Sequence, residues 1–270
     1  MRSRRWLGAT ILSVLALAMV APFLYMVSVS LMDETELLRW PPPLLPDALH
    51  TGNYAAALEA LPFAPVFVNS AILAGCVMVG QVLTSAAAGY AFARMRFPGR
   101  DRVFVAFLAV LTVPAIVLLI PRFMLIEALG WVDTYTGLIS TELVSVWGIF
   151  LMRQFFLTLP RDVEDAARLD GAGEWTLFWR VMLPLAKPGV AALAVLAFMD
   201  QWRSFLWPLI VTRSAQMQVV EVGLANFHTL YGTNWPYQMA AAVTITLPLI
   251  VVCLLAQRYL MQGLEVTGPR

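Results

Sequence analysis

Apolar residues come in long blocks along this chain, separated by short polar stretches. Six blocks match or approach the roughly 20 apolar residues that a helix needs to cross lipid hydrocarbon. They cover residues 7–31, 66–93, 103–121, 137–152, 189–212 and 239–257. Four carry no charge; the short fourth block holds Glu142 and the fifth holds Asp200 and Arg203. Gly75, Gly80, Gly89, Pro114 and Pro248 lie inside the blocks. They do not argue against helices, because neighbouring helices satisfy any freed backbone groups. The pattern predicts one all-α integral membrane domain over residues 1–270. It has six transmembrane helices and a cytoplasmic connecting loop at 153–188. The first block follows Arg2, Arg4 and Arg5 and contains Ala16-Leu17-Ala18, as a secretory signal does. Its apolar run far exceeds the 7–15 residues of a signal core, so it is read as a retained span.

Composition fits this reading. The 270 residues are 60% hydrophobic and 13% charged, against about 45–50% and 25% in soluble domains. The net charge of +1 is uninformative, but its distribution is not. Fourteen of the Lys and Arg residues fall at the termini, between spans two and three, or between spans four and five. Only Arg39, Arg122 and Arg213 fall on the opposite side. The positive-inside bias therefore predicts both termini in the cytoplasm, as an even span count requires.

Several chemistries are excluded. Cys76 and Cys253 sit in apolar runs with no CxxC, and His50 and His228 are isolated, so no metal site is expected. The only lysine, Lys187, follows Ala186. A phosphate-binding P-loop requires glycine there, so ATP hydrolysis of that kind belongs to another chain. WPPPLLP at Trp40–Pro46 predicts an extended strap rather than a helix.

The loop from Arg153 to Gly189 carries the most local information. Pro160 can open a helix, and Asp162 and Glu164 suit its first turn. Val163, Ala166, Ala167 and Asp170 share one face, and Glu164 and Arg168 are one turn apart. Gly171 is placed to end the helix in a left-handed conformation. Trp175, Phe178, Trp179 and Met182 then recur at helical spacing. This is a short amphipathic helix with an alanine face. It either docks into a partner's groove or packs on its own bundle; the periodicity supports both equally.

The string DAARLDGAGEWTLFWRVMLP resembles the EAA loop of permease subunits from bacterial ATP-binding-cassette importers. Asp165, Ala166, Ala167, Gly171, Val181, Leu183 and Pro184 occupy the motif positions, with Asp165 replacing the usual glutamate. Asn69-Ser70, Tyr90–Arg100, Leu129–Ile139, Phe205–Thr212 and Pro248–Leu264 resemble the carbohydrate branch, that of the maltose and glycerol-phosphate permeases. Arg203 follows Trp202 where that branch usually has asparagine.

The resemblance implies a type I importer permease fold in a bacterial inner membrane. The chain would be a non-catalytic subunit that admits a sugar or sugar-like solute by alternating access. Its implied partners are a second homologous permease, two ATPase subunits and an extracytoplasmic solute-binding protein. ATP and Mg would be bound by the ATPase subunits, with no cofactor or nucleic acid on this chain. Glu164, Asp165, Ala166, Ala167, Asp170 and Gly171 would form the helix that couples to the ATPase.

Ionisable residues within the bilayer are costly and mark functional candidates. Asp200 lies about 16 Å along a helix from Gly189, near the middle of a roughly 30 Å core. Asp200 and Arg203 are three residues apart and can pair. Together with Trp202, Phe205 and Trp207 they form a candidate polar and aromatic lining for the solute path; the alternative is an internal ion pair joining spans. A stand-alone transporter driven by ions at Asp200 and Glu142 is the other functional class. No inverted repeat, which such folds often carry, is visible.

Overall fold

The computed structural model describes residues 2–60, 62–231 and 234–265, with side chains outside 2–9, 226–231 and 258–265. The side chains of Arg2, Arg4, Arg5, His228 and Arg258, and all of Arg270, lie outside the described residues. All secondary structure among the described residues is helical. Two compact units form: residues 1–63 with 223–248, and residues 64–222 with 249–270.

The first unit opens with α1 (Arg2–Ser30). From Thr10 this helix is strongly apolar and its large side chains are exposed, a surface made for an apolar surrounding. The chain then turns through α2 (Glu34–Leu37), where Asp33 and Glu36 form a reciprocal capping box. Glu36 is buried, yet both its oxygens are used, by the N–H groups of Asp33 and Asp47. The proline strap contains no helix. The Ser28 hydroxyl donates to the Leu44 carbonyl at 2.6 Å. Asn53, in α3 (Gly52–Ala60), donates to the carbonyls of Ser30 and Met32.

The second unit is built on α4 (Phe63–Arg94). It continues through α5 (Arg100–Val110), α6 (Leu119–Ala128), α7 (Tyr135–Ile139) and α8 (Val146–Thr158). The short α9 (Asp162–Leu169) and α10 (Glu174–Thr176) follow. A π-helical turn over Leu177–Met182 leads into α11 (Leu183–Leu185), then α12 (Lys187–Trp202) and α13 (Leu206–Val211). The chain ends in α14 (Val220–Tyr231) and α15 (Trp235–Glu265), both of which run across the boundary between the units.

Three helices are individually long and apolar enough to cross a membrane: Thr10–Ser30, Phe63–Arg94 and Trp235–Gln257. Three bent pairs qualify only when joined, at 88° between Arg100–Val110 and Ala115–Ala128, 44° between Tyr135–Glu142 and Val146–Thr158, and 77° between Glu174–Leu185 and Lys187–Trp202. The apolar blocks at 103–121 and 137–152 are therefore not straight helices. The block at 189–212 is interrupted after Trp202 and resumes as α13 at Leu206. Pro114 lacks the N–H that would continue α5 and disfavours helical geometry at Val113. Ser145 is extended, and its hydroxyl caps α8 by accepting from the Gly148 N–H.

Close backbone approach holds α4, α8 and α12 together. A Cβ at Gly89 would lie 2.7 Å from Met152 Cβ and 2.8 Å from the Arg153 nitrogen. One at Gly189 would lie 2.6 Å from the Phe155 ring. Without a strong hydrophobic drive between helices in lipid, such small residues let van der Waals contact do the work. At the far end of α4, the Asn69 amide donates to the carbonyls of Gln216 and Gln218, and the Ser70 hydroxyl accepts from the Val220 N–H. The Asn69-Ser70 pair thus anchors the segment before α14.

Candidate coupling site

α9 forms where the chain supplies both helix ends. Asp162, Glu164 and Asp165 occupy the first turn and Arg168 the last, matching the helix dipole. Gly171 has φ +82°. The Ala172 N–H reaches the Ala167 carbonyl and the Gly171 N–H that of Arg168. This is the double hydrogen bond of a Schellman stop, which needs a left-handed residue and so favours glycine.

The six residues expected to form a coupling surface divide between two faces. Asp165, Ala166, Asp170 and Gly171 are exposed. Glu164 is buried, and Ala167 packs against the core of Tyr90, Phe156, Leu177, Phe178 and Met182. The exposed face is completed by Val163, Leu169 and Trp175, of which Leu169 is 89% exposed. The expected face of Val163, Ala166, Ala167 and Asp170 is therefore rotated. Of the four residues from Trp175 to Met182, Phe178 and Met182 point inward while Trp175 and Trp179 are exposed. The wider π turn brings Leu177 inward as well.

Glu164 belongs to a polar cluster that joins four elements. Its carboxylate lies 3.1 Å from Arg94 Nε and 3.7 Å from Arg168, with the Glu164 and Arg94 side chains only 5% and 3% exposed. Arg94 also donates to the carbonyls of Phe156 and Leu159, at the end of α8. The Tyr90 hydroxyl donates to Glu174 at 3.2 Å, and Arg168 bridges Glu174 and Glu164. Burial pushes the Glu164 carboxyl up, and Arg94 and Arg168 pull it back only in part. Fully charged donors satisfying the last carbonyls of a helix make a stiff joint. α9 is thereby fastened to the ends of α4 and α8. In the sequence, Arg94 is a loop charge within the Tyr90–Arg100 stretch. Its signal was its position, the first charge after a long apolar run.

The candidate path residues also divide. Asp200, Arg203 and Phe205 are exposed, while Trp202 and Trp207 are buried. Trp202 packs on Phe67 and Phe198. Trp207 donates to the Leu138 carbonyl and lies under the Arg122 guanidinium, 4.1 Å from its centroid. Arg203 ends α12 rather than continuing it. Among the described residues, no ion pair joins Arg203 to Asp200, although the Arg203 N–H still donates to the Met199 carbonyl as the helix cap. Two residues outside the sequence candidates, Arg122 and Gln201, form a second polar cluster with Glu142 and Asp200. Arg122 pairs with Glu142, and the Gln201 amide nitrogen lies 3.5 Å from both Glu142 and Asp200. The described residues hold no group of His, Cys, Asp and Glu able to bind a metal.

Comparison with known proteins places these features in context. Residues 81–266 match the profile of the family described as binding-protein-dependent transport system inner membrane component. An arabinooligosaccharides transport system permease protein of Halalkalibacterium halodurans is 36% identical over 98% of this chain and 96% of that protein. An sn-glycerol-3-phosphate transport system permease protein of Rhizobium meliloti is 33% identical over 97% of this chain and 96% of that protein. The fold is shared with a chain from a bacterial ABC transporter involved in the import of the acidic polysaccharide alginate. The TM-score is 0.82 at 24% identity, covering 96% of this chain and 98% of that one.

Proposed function

This chain belongs to the family of binding-protein-dependent transport system inner membrane components, and from that premise we propose that it is the permease subunit of an importer for a sugar or sugar-like solute. The three long helices and three bent pairs are six spans, with both termini in the cytoplasm. The chain works with a second permease, two ATPase subunits that bind ATP and Mg, and an extracytoplasmic solute-binding protein. α9 seats in the ATPase through Val163, Asp165, Ala166, Leu169, Asp170 and Gly171. Glu164 and Ala167 act on the opposite face, where they transmit the motion. Asp200, Arg203 and Phe205 are the solute-facing part of the path; Trp202 and Trp207 shape it from within the packing.

The observation that carries this reading is the joint of Arg94 with Glu164 and the end of α8. A surface helix that only covered its own bundle would need no such fastening. A helix that is pushed must pass force to the spans, and a buried, charge-assisted link between α9, α4 and α8 does so. The exposed Leu169 at the tip serves no packing inside this unit. Leu169→Glu should leave expression and thermal stability unchanged. In the reconstituted importer it should abolish solute-stimulated ATP hydrolysis and uptake together. Wild-type uptake by that variant, or uptake by this chain alone that an uncoupler stops, would overturn the proposal.

A further inference from the structure

A cavity of about 1430 Å³ opens between α9 and the turn joining α4 to α5. Six arginines line it: Arg94, Arg96, Arg100, Arg102, Arg161 and Arg168. Four carboxylates line it too, and each is engaged. Asp101 pairs with Arg100, Glu164 with Arg94 and Arg168, and Asp165 and Glu174 with Arg168. Arg96, Arg102 and Arg161 remain; all three are exposed, and they make no ion pair or side-chain hydrogen bond among the described residues. A cavity that keeps three guanidinium groups without anions, after neutralising its own carboxylates, is arranged for an anion from elsewhere.

The setting selects the anion. The turn sits where α4 ends at Arg94 and α5 begins at Arg100, between two strongly apolar segments. Met95 and Phe97 flank Arg96 and are each 39% exposed. Arginines interleaved with exposed apolar side chains beside the ends of apolar helices suit contact with lipid phosphates. We propose that this cavity binds the phosphate headgroup of an anionic inner-leaflet phospholipid through Arg96, Arg102 and Arg161. Bound there, the lipid bridges the turn before α5 to Arg161, the residue that caps the start of α9. The inference rests on the cytoplasmic placement proposed above.

Native mass spectrometry of the full chain, purified with its ATPase subunit, tests this. The complex is exposed to dioleoyl-phosphatidylglycerol, dioleoyl-phosphatidylcholine or inorganic phosphate. Each arginine near an anionic headgroup is worth about 1 kcal/mol, or roughly fivefold. Wild type should therefore retain phosphatidylglycerol over phosphatidylcholine, and the triple variant Arg96→Gln, Arg102→Gln, Arg161→Gln should weaken retention on the order of 100-fold. The triple arginine-to-lysine variant keeps the charge and should keep most of the preference. Equal retention of both lipids by wild type, or no loss in the glutamine variant, would overturn the proposal. So would displacement of the lipid by inorganic phosphate, which would make the ligand a soluble anion. Unchanged lipid retention with loss of the ATPase would assign the arginines to the protein partner instead. Failure of wild type to hold any ATPase sinks the importer reading separately, because lipid retention is read on the chain itself.

Discussion

Glu164 and Arg94 are each almost sealed from water, so removing one leaves the other as an uncompensated buried charge. Such one-sided losses typically cost about 3–5 kcal/mol. Glu164→Ala should therefore lower the melting temperature in detergent sharply. Glu164→Gln should lower it less, since the amide keeps the side-chain volume and an oxygen beside Arg94, while Arg94 loses its counter-charge in both variants. Differential scanning fluorimetry of the two variants checks the order; equal losses would mean that the lost counter-charge alone sets the cost. At the neighbouring exposed positions, Asp165 and Asp170, neutral substitutions should leave the melting temperature unchanged, because screened surface pairs are worth little. The two kinds of carboxylate stand within one helical turn or two of each other and share a motif. Their roles separate only by which face meets the core.

At the level of elements, α4 contains two glycines with opposite expectations. Gly75 has nothing within 4 Å of where a Cβ would stand, whereas Gly89 meets the Met152 side chain and the Arg153 backbone. Gly75→Ala should stabilise the helix by roughly 0.5–1 kcal/mol through reduced backbone entropy. Gly89→Ala should destabilise by about 1–3 kcal/mol, because α8 must move to admit the methyl group. Thermal melts of both variants in one detergent provide the comparison. Hydropathy could not tell these glycines apart, since both lie in the same charge-free block. The same blindness explains the bent spans. An apolar run records that a segment avoids water, and it is silent on whether the segment is one helix. Pro114 was a visible cause of the break after α5. The end of α12 at Trp202 had no comparable signal.

For the whole molecule, the asymmetry of arginines predicts the orientation, and orientation can be measured. Single cysteines introduced at Arg96 or Asp170, after replacing Cys76 and Cys253, should react with a membrane-impermeant maleimide only in permeabilised cells. Cysteines at Asp47 or Arg213 should react in intact cells. The reverse pattern would invert the topology and remove α9 from reach of any cytoplasmic ATPase. The family itself was legible from Asp165 to Pro184, because spacing between small and aliphatic residues survives where side-chain identity drifts, as the aspartate at 165 shows.

The chain alone determined that it is helical, apolar enough for a membrane, without a nucleotide-binding loop, and marked by a helix stop at Gly171. These follow from local covalent preferences and from the free energy of moving side chains out of water, both of which are written in order along the sequence. The tertiary structure decided that Glu164 faces inward, that Arg94 ties three helix ends together, and that Trp202 and Trp207 are buried. Those outcomes depend on which helices lie side by side. Contacts between residues some sixty to seventy positions apart, such as Arg94 with Phe156 and Glu164, leave no periodic trace for a linear reading to find.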